Sequence, residues 1–255
     1  MGKYLLEVCV DSVESALQAQ KGGADRLELC GDLVIGGVTP SMALYERVRE
    51  KVSLPIHVLL RPRWGDFLYS EEEFGILVRQ TDMYQRAGAD GLVIGCLTPE
   101  GRLDRERMGR LMETSGGRPV TLHRAFDMCA DLEQALDDAK QLGIAAILTS
   151  GGSGSALEGK EMLKRLKGRA GTVDIMAGAK ISAEAIVRLR QETPVTSFHM
   201  SGKRAAVSRM RYRNPRVHMG LPGLSEYEVW QTDAETVRRA REALDGRIAK
   251  NGSLD

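Results

Sequence analysis

The stretch SEEEFGILVRQTDMYQRAGADGLVIG, which covers residues 70–95, decides the fold. Ser70 is a helix N-cap residue type, acidic residues follow it in the first turn, and good helix formers continue to Arg86. AGAD at 87–90 then ends the predicted helix on a glycine, and the apolar run GLVIG begins directly afterwards. The stretch therefore predicts a helix over residues 71–86 and a strand that begins at Gly91.

The same unit recurs along the chain. The predicted strands are LLEVCV from Leu5, RLELC from Arg26, IHVLLR from Ile56, GLVIG from Gly91, VTLHRAF from Val120, AAILTS from Ala145, VDIMAG from Val173 and SFHMSG from Ser197. The other predicted helices are Val13 to Gln20, Ser41 to Lys51, Arg105 to Met112, Leu132 to Gln141, Ala156 to Leu166, Ala183 to Gln191 and Ala234 to Ile248. Ser12, Asp131 and Ser182 are further N-cap residue types.

Strands that alternate with helices predict a parallel sheet, and the count and the length together favour a closed one. A (β/α)₈ barrel requires about 250 residues, and the chain has 255. A doubly wound open sheet often carries G-x-G-x-x-G after its first strand, but none follows Val10. The sequence thus predicts an α/β fold, a single (β/α)₈ TIM barrel over residues 1–255 with a long β8–α8 loop (201–232) over its C-terminal face and a frayed tail (249–255). No nucleotide cofactor is predicted.

The composition restricts the class of protein. Hydrophobic residues make up 42% and charged residues 28%, which argues against disorder and against a membrane span. The net charge of +1 argues against nucleic acid as a partner. The four cysteines form no C-x-x-C pair, and no charged-then-apolar leader opens the sequence. These observations predict a cytoplasmic protein with reduced thiols.

Alternation along the strands predicts an ionisable barrel interior. Side chains of a barrel strand face the helices and the interior in turn. In the first strand Leu6, Val8 and Val10 form the helix-facing set, which leaves Glu7 and Cys9 inside. The same rule places these further side chains inside: Arg26, Glu28, Cys30, His57, Arg61, Thr121, His123, Ser197 and His199. They either neutralise one another in a buried network or form a functional cavity, and their concentration on one face favours the cavity.

The loops that follow the strands suggest an anion site at the mouth of the barrel, where such barrels place their catalytic groups. Arg61, Arg63 and Arg124 follow the third and fifth strands and could hold a phosphate or carboxylate bidentately. The glycines after the sixth and seventh strands suit capture of an anion by backbone N–H groups, although glycine is also usual in a tight βα turn. The remaining residues of this predicted site are Ser150, Gly151, Gly178, Arg211 and Arg213. The two arginines belong to the long basic loop, which is expected to fold over the mouth or to form an oligomer contact.

One functional hypothesis is therefore an enzyme that acts on a small phosphate- or carboxylate-bearing substrate by proton transfer, as an isomerase or a lyase. Glu7 or Glu28 would be its general base, and His123 or Asp127 would complete the proton transfer. A zinc site on three strand histidines, His57, His123 and His199, has less support because these residues lack a short-range ligand spacing.

The main functional hypothesis, to which the enzyme is the alternative, comes from a family resemblance. The sequence closely resembles the CutC family, known as copper-homeostasis proteins, over essentially its whole length. The motifs that carry the resemblance are Glu7-Val8-Cys9, Glu28-Leu29-Cys30, Gly37-Val38-Thr39-Pro40-Ser41, Arg61-Pro62-Arg63, Asp66-Phe67-Leu68-Tyr69, His123-Arg124-Ala125-Phe126-Asp127-Met128, Leu148-Thr149-Ser150-Gly151, Met176-Ala177-Gly178 and Met210-Arg211-Tyr212-Arg213-Asn214.

The resemblance implies a cytoplasmic barrel with a role in copper handling, and it places the proposed copper-binding cysteines on Cys9 and Cys30. Neighbouring strands lie about 4.8 Å apart, so the two sulfurs could approach if the stagger of the barrel brings them level. Thiolates select Cu(I), although both cysteines could instead be small buried side chains. The expected ligand is thus Cu(I) or a small anion, the expected assembly is a homo-oligomer with a dimer favoured, and catalysis is left open.

Overall fold

The predicted barrel is confirmed. The computed structural model describes residues 4–219, 223 and 225–247, and in it eight parallel strands close in chain order. The strands are β1 Leu5–Val10, β2 Arg26–Leu29, β3 Ile56–Leu59, β4 Gly91–Ile94, β5 Val120–Leu122, β6 Ala146–Thr149, β7 Asp174–Ala177 and β8 Ser197–Met200. The helices are α1 Val13–Gly22, α2 Met42–Arg49, α3 Glu71–Arg86, α4 Arg105–Thr114, α5 Leu132–Gln141, α6 Lys160–Arg169, α7 Ala183–Glu192 and α8 Ala234–Asp245.

Four helices begin directly after the N-cap residues predicted from the sequence, whereas α6 begins at Lys160 and not at the predicted Ala156. The Ser70 side chain accepts a hydrogen bond from the Glu73 backbone N–H, and the Glu73 side chain accepts one from the Ser70 backbone N–H. This capping box satisfies two backbone donors at the start of α3. The predicted caps at Ser12, Asp131 and Ser182 likewise accept backbone hydrogen bonds. After α3 the chain turns at Gly88, whose φ of 84° favours glycine.

The main apolar core lies between the strands and the surrounding helices. Leu6, Val8 and Val10 are fully buried there, on the predicted helix-facing side of β1. Burial of each such side chain stabilises the fold by about 1.5–3 kcal/mol. The side chains on the opposite side of β1 do not pack against the helices, and they face the barrel interior instead.

The interior is layered. Leu5 packs with Ala146, Leu148 and Met176 in an apolar cluster that includes the first residues of β1 and β6. A second apolar cluster, of Cys30, Leu59 and Val93 with Leu33, lies further along the strands. The buried ionisable side chains predicted from the alternation include Glu7, Glu28, His57 and His123. The position that hydrocarbon side chains normally occupy in such a barrel is therefore partly polar.

The long connection after β8 contains a structure that the sequence pattern did not predict. β9 (Lys203–Val207) and β10 (Glu228–Thr232) form an antiparallel hairpin, and every residue of β9 is exposed. We call residues 203–232 the arm. Its base is fixed to α1, because the Thr232 backbone N–H donates to Ser15 Oγ at 3.1 Å. Coverage of the barrel mouth by the arm stays a prediction, and the predicted frayed tail 249–255 lies outside the described residues.

Within the described residues, no helix combines the length and the apolar character needed to cross a membrane. The longest helix is α3, of 16 residues, and it has charged side chains throughout its length. A membrane-spanning helix needs about 20 predominantly apolar residues.

Candidate metal site in the barrel interior

Strands β8, β1 and β2 lie side by side and bring a group of polar side chains together. Glu7 is level with His199 on one side and with Arg26 on the other, and Cys9 is level with Glu28. All five side chains occupy the inward-facing positions of their strands. Three neighbouring strands thus supply two carboxylates, one guanidinium, one imidazole and one thiol to the same region.

Glu7 holds two of these groups. Its Oε2 accepts a hydrogen bond from Arg26 Nε at 2.6 Å, and its Oε1 lies 2.7 Å from His199 Nδ1. Burial would raise the pKa of Glu7, but the Arg26 guanidinium and His199 outweigh it and hold this pKa below its usual range. Glu7 is therefore an ionised carboxylate with both oxygens engaged, which makes it a positioning group for His199.

The other nitrogen of His199 faces a second carboxylate and a thiol. His199 Nε2 lies 3.7 Å from Glu28 Oε2, and the candidate ligand atoms of Cys9, Glu28 and His199 all lie within 4.8 Å of one another. We call these three residues the Cys9–Glu28–His199 cluster. Their side chains offer sulfur, oxygen and nitrogen, which are the three ligand atoms that proteins use for transition metals.

The electrostatics of the cluster favour a positive charge at His199. Burial raises the pKa of Glu28 to about 7, since no hydrogen bond to its carboxylate is present among the described residues. Burial would lower the pKa of His199, but the neighbouring Cys9, Glu28 and Glu7 raise it well above its usual value. His199 is therefore a protonated ring between two carboxylates, and a metal ion bound at its Nε2 would replace the proton as the positive charge between them.

Cys30 lies outside this cluster. The pairing of Cys9 with Glu28 puts Cys30 two residues further along the chain, directly after β2, where its sulfur faces Val10 O at 3.5 Å. Burial raises the pKa of the Cys30 thiol well above its usual value, and the nearby Cys9 raises it further. The two cysteines are thus close enough to interact, but the register does not make them level. Cys96 and Cys129 are also free thiols, and burial raises the pKa of each to about 12.

The remaining strand histidines do not join the cluster. Among the described residues, the group of candidate metal ligands contains His199 but neither His57 nor His123. Each of these two rings lies against a glycine: an added Cβ would come within 2.5 Å of the His57 ring at Gly91 and of the His123 ring at Gly95. Burial lowers the pKa of His57 to about 4 and that of His123 to about 3. Both rings are neutral at pH 7.

Two of the three mouth arginines are already bound to carboxylates. Arg63 pairs with Glu73 at 2.6 Å and with Asp66 at 2.9 Å, so it fixes its own loop. Arg124 pairs with Asp127 at 2.8 Å. Arg61 differs because its guanidinium reaches backbone carbonyl groups and no carboxylate among the described residues.

The backbone donors after β6 hold the carboxylate of Asp127. The N–H groups of Ser150 and Gly152 donate to it at 3.0 Å each, and Thr149 Oγ1 donates at 2.5 Å. The N–H of Gly151 donates to Thr149 Oγ1 at 2.9 Å. After β7, the N–H of Gly178 donates to the Thr149 carbonyl group at 2.9 Å. The N–H groups of this loop are therefore already occupied by a carboxylate of the protein itself, that of Asp127.

The arm carries the two remaining residues of the predicted anion site. Arg213 stacks on Tyr227, with its Cζ 4.4 Å from the ring centroid, and donates to the Ser208 carbonyl group. Arg211 is exposed. Neither is brought next to Arg61 by a described contact.

The structure adds Arg26 and His199 to the site, whereas the sequence predicts only that both are interior. The signal that could have found them is the alternation of β2 and β8, which places each on the same face as Glu7. Their importance depends on the stagger of the barrel, which pairs both with Glu7.

The fold and this interior define a class: a (β/α)₈ barrel whose core contains a polar cluster with the ligand set of a metal site. The sequence profile of the CutC family matches residues 4–204. The chain belongs to the CutC family.

Individual relatives support the same family membership. The chain is 44% identical over 250 residues to a human protein named copper homeostasis protein cutC homolog, covering 97% of this chain and 90% of the human protein. It is 42% identical to a family protein CutC of Bacteroides fragilis, covering 96% and 98%. A CutC crystal structure from Streptococcus agalactiae superposes with a TM-score of 0.73 at 30% identity, covering 78% of this chain and 98% of that one.

Proposed function

We propose that this protein takes part in copper homeostasis by binding a copper ion inside the barrel, with Cys9, Glu28 and His199 as ligands. The human and mouse relatives carry the name copper homeostasis protein cutC homolog, which supports the choice of metal. The cluster of a thiol, a carboxylate and an imidazole within 4.8 Å supports the choice of site.

One observation supports the site more than any other. Glu7 binds Nδ1 of His199, so the other ring nitrogen, Nε2, is free to face Glu28 and Cys9. Histidine ligands of metals almost always donate their other ring N–H to a carboxylate, which fixes the orientation of the ring. The thiol and the imidazole suit Cu(I), and the carboxylate adds an oxygen ligand that Cu(II) also accepts.

This ligand set differs from the pair Cys9 and Cys30 that the family resemblance implies. Cys9 is common to both sets. Cys30 belongs to an apolar cluster with Leu59 and Val93, where a charged thiolate is unfavourable. The two sets therefore predict opposite effects for substitution of Cys30 and of His199.

Copper titration against a competing chelator tests the proposal, with Cu(I) under reducing conditions and with Cu(II) separately. We expect one copper ion per chain, a large loss of affinity in Cys9→Ser and His199→Gln, and a small change in Cys30→Ser. Cys96→Ser is the matched control, because it removes a buried thiol that lies outside the barrel interior. Absence of stoichiometric binding, or unchanged affinity in Cys9→Ser, would contradict the proposal.

Catalysis is a separate hypothesis, and the geometry supports it less. Of the predicted catalytic side chains, Glu7 and Asp127 are held in ion pairs, and His123 accepts a hydrogen bond from a backbone N–H. Glu28 alone keeps a carboxylate without a hydrogen bond among the described residues, and its pKa of about 7 suits a general base. Detection of a Glu28-dependent reaction on a small phosphate or carboxylate substrate would support this alternative.

We further propose that the protein works in the cytosol as a homo-oligomer, with a dimer favoured. The four free thiols support a reducing compartment. The exposed apolar side chains of the arm, such as Val207 and Tyr212 at 76% and 73% exposed, support an oligomer contact. Light scattering on the intact protein and on a Tyr212→Ser variant tests this assembly; a monomeric native protein would contradict it.

A further inference from the structure

Arg61 is a buried guanidinium without a carboxylate partner among the described residues. Only 9% of the residue is exposed. Its Nη2 donates to the Gly65 carbonyl group at 2.6 Å, and its Nη1 donates to that of Gly37 at 3.2 Å. Its Nε is buried and makes no hydrogen bond among the described residues, although the Arg61 charge acts on the nearby Tyr69 hydroxyl group. Arg26, in contrast, is paired with Glu7. A buried charge without a counterion is costly, so Arg61 is a position where an external anion would be stabilised.

His123 supplies a second donor without an acceptor. The backbone N–H of Ala125 donates to His123 Nδ1 at 3.1 Å, so Nδ1 carries no proton. Burial and the nearby Arg61 keep the ring neutral by lowering its pKa to about 3. The single ring proton of the neutral imidazole must therefore be on Nε2. That nitrogen is buried and has no partner among the described residues.

Phe67 links the two donors in space. Its ring centroid lies 4.8 Å from Arg61 Cζ and 4.9 Å from the centroid of the His123 ring. Arg61 follows β3 and His123 follows β5, so both groups lie at the C-terminal ends of their strands. Ligands of (β/α)₈ barrels bind at this end.

Most other charged and backbone donors at this end are already occupied. The guanidinium groups of Arg63 and Arg124 contact carboxylates, and the N–H groups after β6 hold Asp127. Among the described residues of this end, the buried side-chain atoms without a hydrogen-bond partner are Arg61 Nε, His123 Nε2 and the Tyr69 hydroxyl group.

We propose that Arg61 Nε and His123 Nε2 bind one small oxyanion, a carboxylate or a phosphate, at a site separate from the Cys9–Glu28–His199 cluster. The charged Arg61 donor provides most of the attraction, and the neutral His123 donor orients the oxygen atom. Phe67 contacts both groups. The site is independent of the proposed copper function, because it shares no side chain with the copper ligands.

Titration of the intact, metal-free protein with inorganic phosphate and, separately, with malonate tests the proposal. The readout is the ¹⁵N chemical shift of His123 Nε2, with calorimetry for the dissociation constant. We expect one or both anions to shift this resonance, and Cys9→Ser to leave the affinity unchanged. A response to phosphate alone assigns a phosphate ligand, a response to malonate alone assigns a carboxylate, and a response to both assigns a general oxyanion site. No response to either anion up to tens of millimolar would overturn the proposal.

Substitutions locate the anion. Arg61→Gln is expected to weaken binding about 10- to 100-fold, since it removes a charged donor. His123→Asn should weaken it less. Arg63→Gln is the matched control, because it removes an arginine of the same loop whose guanidinium is already paired with Glu73. Equal weakening by Arg63→Gln would overturn the assignment. If Arg61→Gln does not fold, Arg61→Lys keeps the charge but removes Nε, and unchanged affinity there would count against the site.

Discussion

His199 Nδ1 lies 2.7 Å from Glu7 Oε1, while Glu7 Oε2 accepts from Arg26 Nε at 2.6 Å. The carboxylate of Glu7 thus connects two strands on either side of β1. Because one of its oxygens fixes the ring of His199, the other ring nitrogen is directed toward Glu28 and Cys9. A carboxylate that orients a histidine for a metal is as much a part of such a site as the ligands themselves.

Glu7→Gln should weaken copper binding although Glu7 is not a ligand. The amide keeps the shape but loses the charge that holds His199 and Arg26, and loss of such a partner typically costs about 10- to 100-fold in metal affinity. Chelator competition on the folded variant measures the effect. Glu50→Gln is the control, because Glu50 is in an exposed ion pair with Arg47. Equal affinities of Glu7→Gln and the native protein would show that Glu7 does not position His199.

Glu28→Gln should stabilise the metal-free protein at high pH. Burial raises the pKa of Glu28 from 4.5 to about 7, so its contribution to stability is complete below pH 4.5 and is lost as the pH rises to about 7. At about 1.4 kcal/mol per pKa unit, the advantage of the variant should be roughly 3 kcal/mol larger at pH 8 than at pH 4.5. Urea unfolding at the two pH values measures this difference. A pH-independent difference would mean that Glu28 is ionised without cost.

Gly91→Ala and Gly95→Ala should destabilise the fold. In each case the new methyl group would come within 2.5 Å of a histidine ring, His57 or His123, and overpacking typically costs about 1–3 kcal/mol. Gly75→Ala in α3 is the control, because nothing lies within 4 Å of its added Cβ. That change should stabilise the helix by about 0.5–1 kcal/mol. Thermal unfolding distinguishes the two outcomes, and equal effects at all three glycines would contradict the packing.

Asp127→Asn should loosen the loop after β6. The side chain of Asp127 is only 6% exposed, and the variant would weaken its hydrogen bonds with the N–H groups of Ser150 and Gly152. We expect a loss of stability of about 1–3 kcal/mol, the usual cost of buried polar groups left without partners. Amide hydrogen exchange at Ser150 and Gly152 should become faster. Asp66→Asn, at an exposed carboxylate, is the control; unchanged exchange in Asp127→Asn would show that Asp127 does not hold the loop.

The barrel was predictable because its signals are local. The cap at Ser70, the helical run to Arg86 and the glycine at Gly88 all lie within one stretch of sequence, and the helix has the predicted bounds. The hairpin of the arm was not predictable in the same way. All five residues of β9 are exposed, so no alternation of apolar and polar side chains marks Lys203–Val207 as a strand.

The candidate site was predictable only in part. Alternation along β1 and β2 placed Glu7, Cys9 and Glu28 inside the barrel. Which of them meet depends on the stagger between strands, and this makes Cys9 level with Glu28 rather than with Cys30. The stagger is a property of the closed sheet, and it cannot be read from the sequence of any single strand. The contact of Asp127 with Ser150, 23 residues away, is likewise a tertiary one.

X-ray absorption spectroscopy at the copper edge of the loaded protein tests the central claim most directly, because it counts the sulfur and imidazole ligands. The cluster of Cys9, Glu28 and His199 predicts one sulfur and one imidazole, with a spectrum that Cys30→Ser leaves unchanged. Two sulfur ligands, one of which disappears in Cys30→Ser, or the absence of an imidazole, would contradict it.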